Sequence, residues 1–107
     1  MMKVIKKLPG KQAEFAFIDG TLESIQEAVD GYFRPVALFD GLVMLCNDDG
    51  NILGMQPNFP IQTIGMIVGP VIFVREEKDN YVSVAESDMR KLSENIGFLE
   101  MGLPVDG

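Results

Sequence analysis

Tyr32–Asn47 reads YFRPVALFDGLVMLCN. Asp40-Gly41 sits between two apolar runs, and both residues tolerate the positive φ that a two-residue hairpin turn requires. The arms, Tyr32 to Phe39 and Leu42 to Cys46, are apolar on both faces. That pattern predicts central strands, with a helix covering one side and another element the other. Pro35 has no N–H to give to a ladder, which implies a bulge or an unpaired position near the start of the first arm.

Working outward, Met2 to Leu8 reads as a strand with polar residues along one side, ended by Pro9-Gly10. Glu14 to Ile18 alternates and reads as a second strand, turned by Asp19-Gly20. The period then changes. Leu22, Ile25 and Val29 recur at helical spacing, Thr21 can cap the start, and Gly31 can stop the helix in a left-handed cap. Beyond the hairpin, Asp49-Gly50 predicts a second turn, with Ile52 to Met55 returning as a third, shorter strand. Val68 to Arg75 makes a further apolar strand, and Lys78-Asp79-Asn80 a polar turn. Ser83 and Glu86 have capping-box spacing ahead of a helix to about Ile96, with Met89, Leu92 and Ile96 on its inner face and Gly97 ending it. The tail holds Phe98, Leu99, Met101 and Leu103, which suit docking or pairing.

The expected architecture is therefore α+β, an antiparallel meander sheet of five or six strands with two helices in the order β-β-α-β-β-β-β-α. It forms one domain over 1–107, with N-terminal strands in 1–18, a helix in 21–30, the meander in 32–75, a helix in 84–96 and a tail in 97–107.

Composition bounds the chemistry. A chain of 107 residues with 47% hydrophobic residues buries roughly two thirds of its unfolded surface and needs no metal or disulfide to fold. The one cysteine, Cys46, has no intrachain partner, which fits a reducing cytoplasm. No signal peptide is visible, and the longest apolar stretch, Ile64 to Val74, is too short to span a bilayer. The net charge of −7 argues against direct binding to nucleic acid or anionic membranes. Lys3, Lys6, Lys7 and Lys11 nonetheless precede the first acid, Glu14, and read either as a solvated edge strand and loop or as a local anion-binding patch.

Histidine is absent, which removes serine and cysteine triads and histidine metal sites. No phosphate-cradling glycine loop or dinucleotide fingerprint is present, and no cofactor is implied. Asn47, Asp49 and Asn51 alternate as calcium-loop ligands do, but Ile52 stands where such a loop needs glycine and Asn58 where it needs a bidentate glutamate. Two readings of Leu45–Pro60, LCNDDGNILGMQPNFP, remain. Its Asn and Asp residues are turn chemistry, or Asn47, Asn51, Gln56 and Asn58 offer amides at the end of the sheet to a hydrogen-bonding ligand such as a nucleobase or ribose.

The segments VDGYFRPV, CNDDGNILGMQPN, IVGPVIFV and SVAESDMRKLSE together resemble a family of small proteins, a domain of unknown function common in phages and conjugative elements of Gram-positive bacteria. The resemblance runs from about Leu22 to Leu92. It rests on Gly31-Tyr32, Asn47, Asp49-Gly50, Pro57-Asn58 and Val68-Gly69. Asp30 stands where the family tends to have a second glycine, and Pro70 where a polar residue is usual. The resemblance implies a small accessory protein acting against host machinery in the bacterial cytoplasm.

On these grounds the leading expectation is a non-enzymatic counter-defence protein that sequesters a nucleotide-derived signal. Tyr32 would stack, Arg34 would meet phosphate, Asn47, Asn51, Gln56 and Asn58 would hydrogen-bond, and a partner subunit of a homo-oligomer would complete the site. The alternative is an acidic module that inhibits a host protein, of the DNA-mimic or antirestriction type, using Glu23, Glu27, Asp30, Glu86, Asp88 and Glu94. An enzyme would need a carboxylate, lysine or metal mechanism, and no pair stands out among the scattered acids.

Overall fold

The computed structural model describes residues 1–96; the expected helix stop at Gly97 and the apolar tail residues lie outside them. The strands are β1 Met2–Lys7, β2 Glu14–Ile18, β3 Phe33–Ala37, β4 Leu42–Asn47, β5 Pro57–Ile61, β6 Gly65–Val68, β7 Val71–Glu77 and β8 Asn80–Val82, and the helices are α1 Leu22–Ala28 and α2 Ser87–Ile96. The fold is α+β, with two strands, a helix, a run of strands and a final helix in chain order.

The main sheet is six-stranded and antiparallel, in the order β2-β1-β7-β4-β3, with β8 pairing the far end of β7. β5 and β6 form a separate two-stranded hairpin. Strand alternation sorts the core into two layers. Val43 and Leu45 of β4 and Ile72 and Val74 of β7 face α1, where they meet Ile25 and Val29. Leu42, Met44 and Cys46 of β4 and Val71 and Phe73 of β7 face the other way, onto Phe59 and Ile67 of the small hairpin and Leu92 of α2. The sheet is thus covered by α1 on one face and by β5–β6 with α2 on the other.

The Asp40-Gly41 turn forms as expected, with φ of 52° and 77°. β4 is buried along its whole length. β3, expected to be central, is instead a largely exposed edge strand. The cause is β7, which inserts between β1 and β4 and takes the centre, so the sheet is not a simple meander. On the rim, the missing N–H of Pro35 is tolerated. β1, read as an edge, is an inner strand between β2 and β7.

The Asp49-Gly50 segment does not make a hairpin. Residues 48–55 wind through successive tight turns, with Leu53 N–H bonding Asp49 O at 2.9 Å and Met55 N–H bonding Gly50 O at 2.9 Å. Neither Asp49 nor Gly50 has positive φ. Gly50 is there for space: a Cβ would lie 2.8 Å from Val68 Cγ2. The next strand therefore begins at Pro57 rather than Ile52, and it pairs with β6. The apolar run expected at Val68 to Arg75 is divided at Gly69-Pro70, where the chain leaves the small hairpin (β6) and enters the main sheet (β7).

Two caps differ from expectation. In α1, Thr21 Oγ1 accepts from Ser24 N–H as the sequence suggests, but the left-handed residue at the C-terminal end is Asp30, with φ of 60°. In α2 no capping box forms. Ser83 Oγ accepts from Lys3 N–H at 2.9 Å, the Glu86 carboxylate pairs with Lys3 Nζ, and Asp88 turns back to accept Ala85 N–H at 2.7 Å.

Candidate functional site

Two of the amides expected to bind a ligand are structural clips. Asn47 ends β4 on the α1 side of the sheet. Its Nδ2 donates to Val29 O at 2.9 Å and Asp30 O at 3.1 Å, supplying partners for carbonyls at the end of α1. Its Oδ1 accepts Asp49 N–H at 2.8 Å, which starts the following turns. Gly31 makes room for it, since a Cβ there would lie 3.0 Å from Asn47 Nδ2. Asn58, on β5, donates to Lys7 O at 2.9 Å and Gly69 O at 2.8 Å and accepts from Lys7 Nζ at 3.0 Å. It ties the small hairpin to the end of β1 and to the point where β6 gives way to β7. Asn47 and Asn58 are both buried and point into different parts of the core.

Lys7 is a core residue that the lysine-rich N-terminal sequence does not reveal. Alternation along β1 places it on the same face as Ile5, fully buried. Among the described residues its ammonium meets neutral acceptors, Leu8 O at 3.0 Å and Asn58 Oδ1, and burial pushes its pKa below the usual lysine value. Of the two readings of the N-terminal lysines, the anion-binding patch does not form as a whole: Lys3 pairs with Glu86, Lys6 with Glu14 at 3.8 Å, and Lys7 is inside, while Lys6 and Lys11 border one groove.

The acids of the helices do not share a surface either. α1 and α2 lie on opposite faces of the sheet. Asp88 is fully buried in a two-pronged pair with Arg75, at 2.7 Å from Nε and 2.6 Å from the terminal nitrogen. Burial pushes its pKa up, but the bonds from Arg75 and Ala85 N–H and the charges of Arg75 and Lys91 outweigh that and hold it below the usual carboxylate value.

Three of the expected residues do come together. Arg34, Asn47 and Asn51 line a cavity of about 270 Å³ between the edge strand β3 and the hairpin strand β6, with Ile64, Met66 and Val68 as its apolar wall. No carboxylate lies within ion-pair distance of Arg34 among the described residues, and none lines this cavity. Tyr32, at the mouth of β3, is 73% exposed, and its carbonyl accepts Asp48 N–H at 2.8 Å. Gln56 is elsewhere. It borders a groove of about 540 Å³ with Lys6 and Lys11 on its walls, together with Glu27 and Asp30, so the charges there are mixed. Among the described residues no group of three metal-ligating side chains occurs, and no helix is long and apolar enough to cross a membrane.

Fold and site together define a class: a small α+β protein, a sheet covered on both faces, with internal amide clips and a polar cavity beside its edge strand. Residues 2–97 match the family model described as Domain of unknown function (DUF3846), and the chain belongs to that family. No curated protein and no solved structure matches it.

Proposed function

We propose that this protein is a non-enzymatic binding module that holds a small nucleotide-derived anion at the Arg34–Asn51 cavity. The observation that carries the reading is the guanidinium of Arg34. It is exposed, has no carboxylate partner among the described residues, and stands beside an exposed amide, Asn51, over an apolar wall. An arginine fork matches phosphate oxygens two at a time, an amide meets the donor and acceptor edge of a base or ribose, and an aromatic ring such as Tyr32 offers a stacking face. The volume of about 270 Å³ lies just under the roughly 300–1,000 Å³ of sites that enclose a drug-sized ligand. One chain therefore suits a mononucleotide-sized portion. The resemblance to proteins of phages and conjugative elements supports a counter-defence role in the host cytoplasm, in which the protein sequesters a nucleotide immune signal.

The test is to mix purified protein with cyclic dinucleotides and ADP-ribose derivatives, measure the thermal shift, and identify retained ligand by heat release and mass spectrometry. Binding raises the melting temperature in proportion to occupancy, and Arg34→Ala and Asn51→Ala each abolish that rise. No retained ligand and no shift with any compound overturns the reading.

A further inference from the structure

We infer that the face around this cavity takes a second copy of the same chain, which closes the cavity from its open side. Five of the large apolar residues that remain exposed gather there: Tyr32, Ile52, Leu53, Ile64 and Met66, with Ile52 86% and Met66 52% exposed. Ile64 and Met66 line the cavity with Asn51, and Ile52 and Leu53 directly follow Asn51 in the chain. Residues 48–55 are fastened at one end by Asp48 N–H on Tyr32 O and packed at Gly50 against Val68, so this loop lies between the start of β3 and the end of β6. Exposed apolar residues scattered singly are normal, but a contiguous group marks a contact surface.

The charges on this face identify the partner. Arg34 is its cation, and Asp48 and Asp49 are exposed acids on the adjoining turn. None of the three has an ion pair among the described residues. A twofold contact brings the same patch of both copies together, so residue i meets j and j meets i. Arg34 of each copy then faces Asp48 and Asp49 of the other. A partner of one charge sign would leave the opposite sign here unmatched. The five N–H donors of the guanidinium suffice for a carboxylate and a ligand oxygen together. Pro35 removes a backbone donor from the exposed edge of β3, so the copies meet through side chains rather than by extending the sheet.

Sedimentation equilibrium on the full chain decides it, with circular dichroism confirming that each variant is folded. The wild type is expected at twice the chain mass. Arg34→Glu alone, and Asp48→Lys with Asp49→Lys, each place like charges opposite one another and give monomers. An equimolar mixture of the two variants matches opposite charges at both contacts and restores the dimer. Met66→Glu, on the apolar part, gives a monomer by a separate route. A monomeric wild type, dimers that survive all three changes, or a mixture that stays monomeric overturns the inference. The contact does not depend on the ligand: a dimer that binds no nucleotide keeps it and removes the proposed function, while a monomer that binds one does the reverse.

Discussion

At the scale of single residues, the polar groups that matter most to the fold are those with no route to water. Asn58 closes three hydrogen bonds in the core, and a buried group left unpaired costs about 1–3 kcal/mol. Asn58→Ala and Asn47→Ala are each expected to lower the urea unfolding free energy by about 2 kcal/mol, whereas Asn51→Ala leaves it unchanged. Two buried charges give opposite pH signatures. Asp88 is held below its ordinary value of 3.8, so its contribution is complete above that value and is lost as pH falls through the lower, folded one. The stability difference between wild type and Asp88→Asn should therefore shrink on acidification below about pH 4. Lys7 is held below its ordinary value of 10.5, so between the two values the unfolded chain binds more protons and stability rises with pH. Lys7→Met should remove that alkaline rise, read as the unfolding midpoint from neutral pH up to about 10.5.

At the scale of elements, the decisive event is the break between β6 and β7. Gly69 has φ of 78°, and a Cβ there would lie 2.6 Å from Met55 Sδ. Gly69→Ala is expected to cost about 2 kcal/mol, from left-handed backbone and the displacement of Met55, measured by urea denaturation. The sequence showed the punctuation at Gly69-Pro70 but not its meaning, because a bulge within one strand and a passage between two sheets use the same residues. In the same way, Asp40-Gly41 was legible as a hairpin because the turn type needs positive φ at both positions. Asp49-Gly50 looks alike in sequence, yet its glycine answers to the bulk of Val68, a residue eighteen positions away.

At the scale of the whole molecule, stability should peak where the layers overlap. β4 and β7 lie in the middle of the sheet and are covered on both faces. Amide exchange is expected to be slowest in Leu42–Cys46 and Val71–Val74 and faster in β3 and the β5–β6 hairpin, as measured by hydrogen–deuterium exchange. Uniform protection across all the strands would contradict the layered core. The acids of the two helices belong to this scale as well. Their sum is visible in composition, but their division between opposite faces of the sheet is not.

The sequence by itself determined the α+β class, the two helices and the first hairpin, because hydrophobic period and turn chemistry act over a few neighbouring residues. Tertiary structure alone decided which strand is central, since β7 pairs across long loops with β1 and β4. It also separated the amides. Asn47 and Asn58 are clips because Val29 O, Lys7 O and Gly69 O face them, while Asn51 stays at the surface beside Arg34. The same side chain serves packing or recognition according to the partners that the fold brings within hydrogen-bond distance, and those partners are distant in the chain.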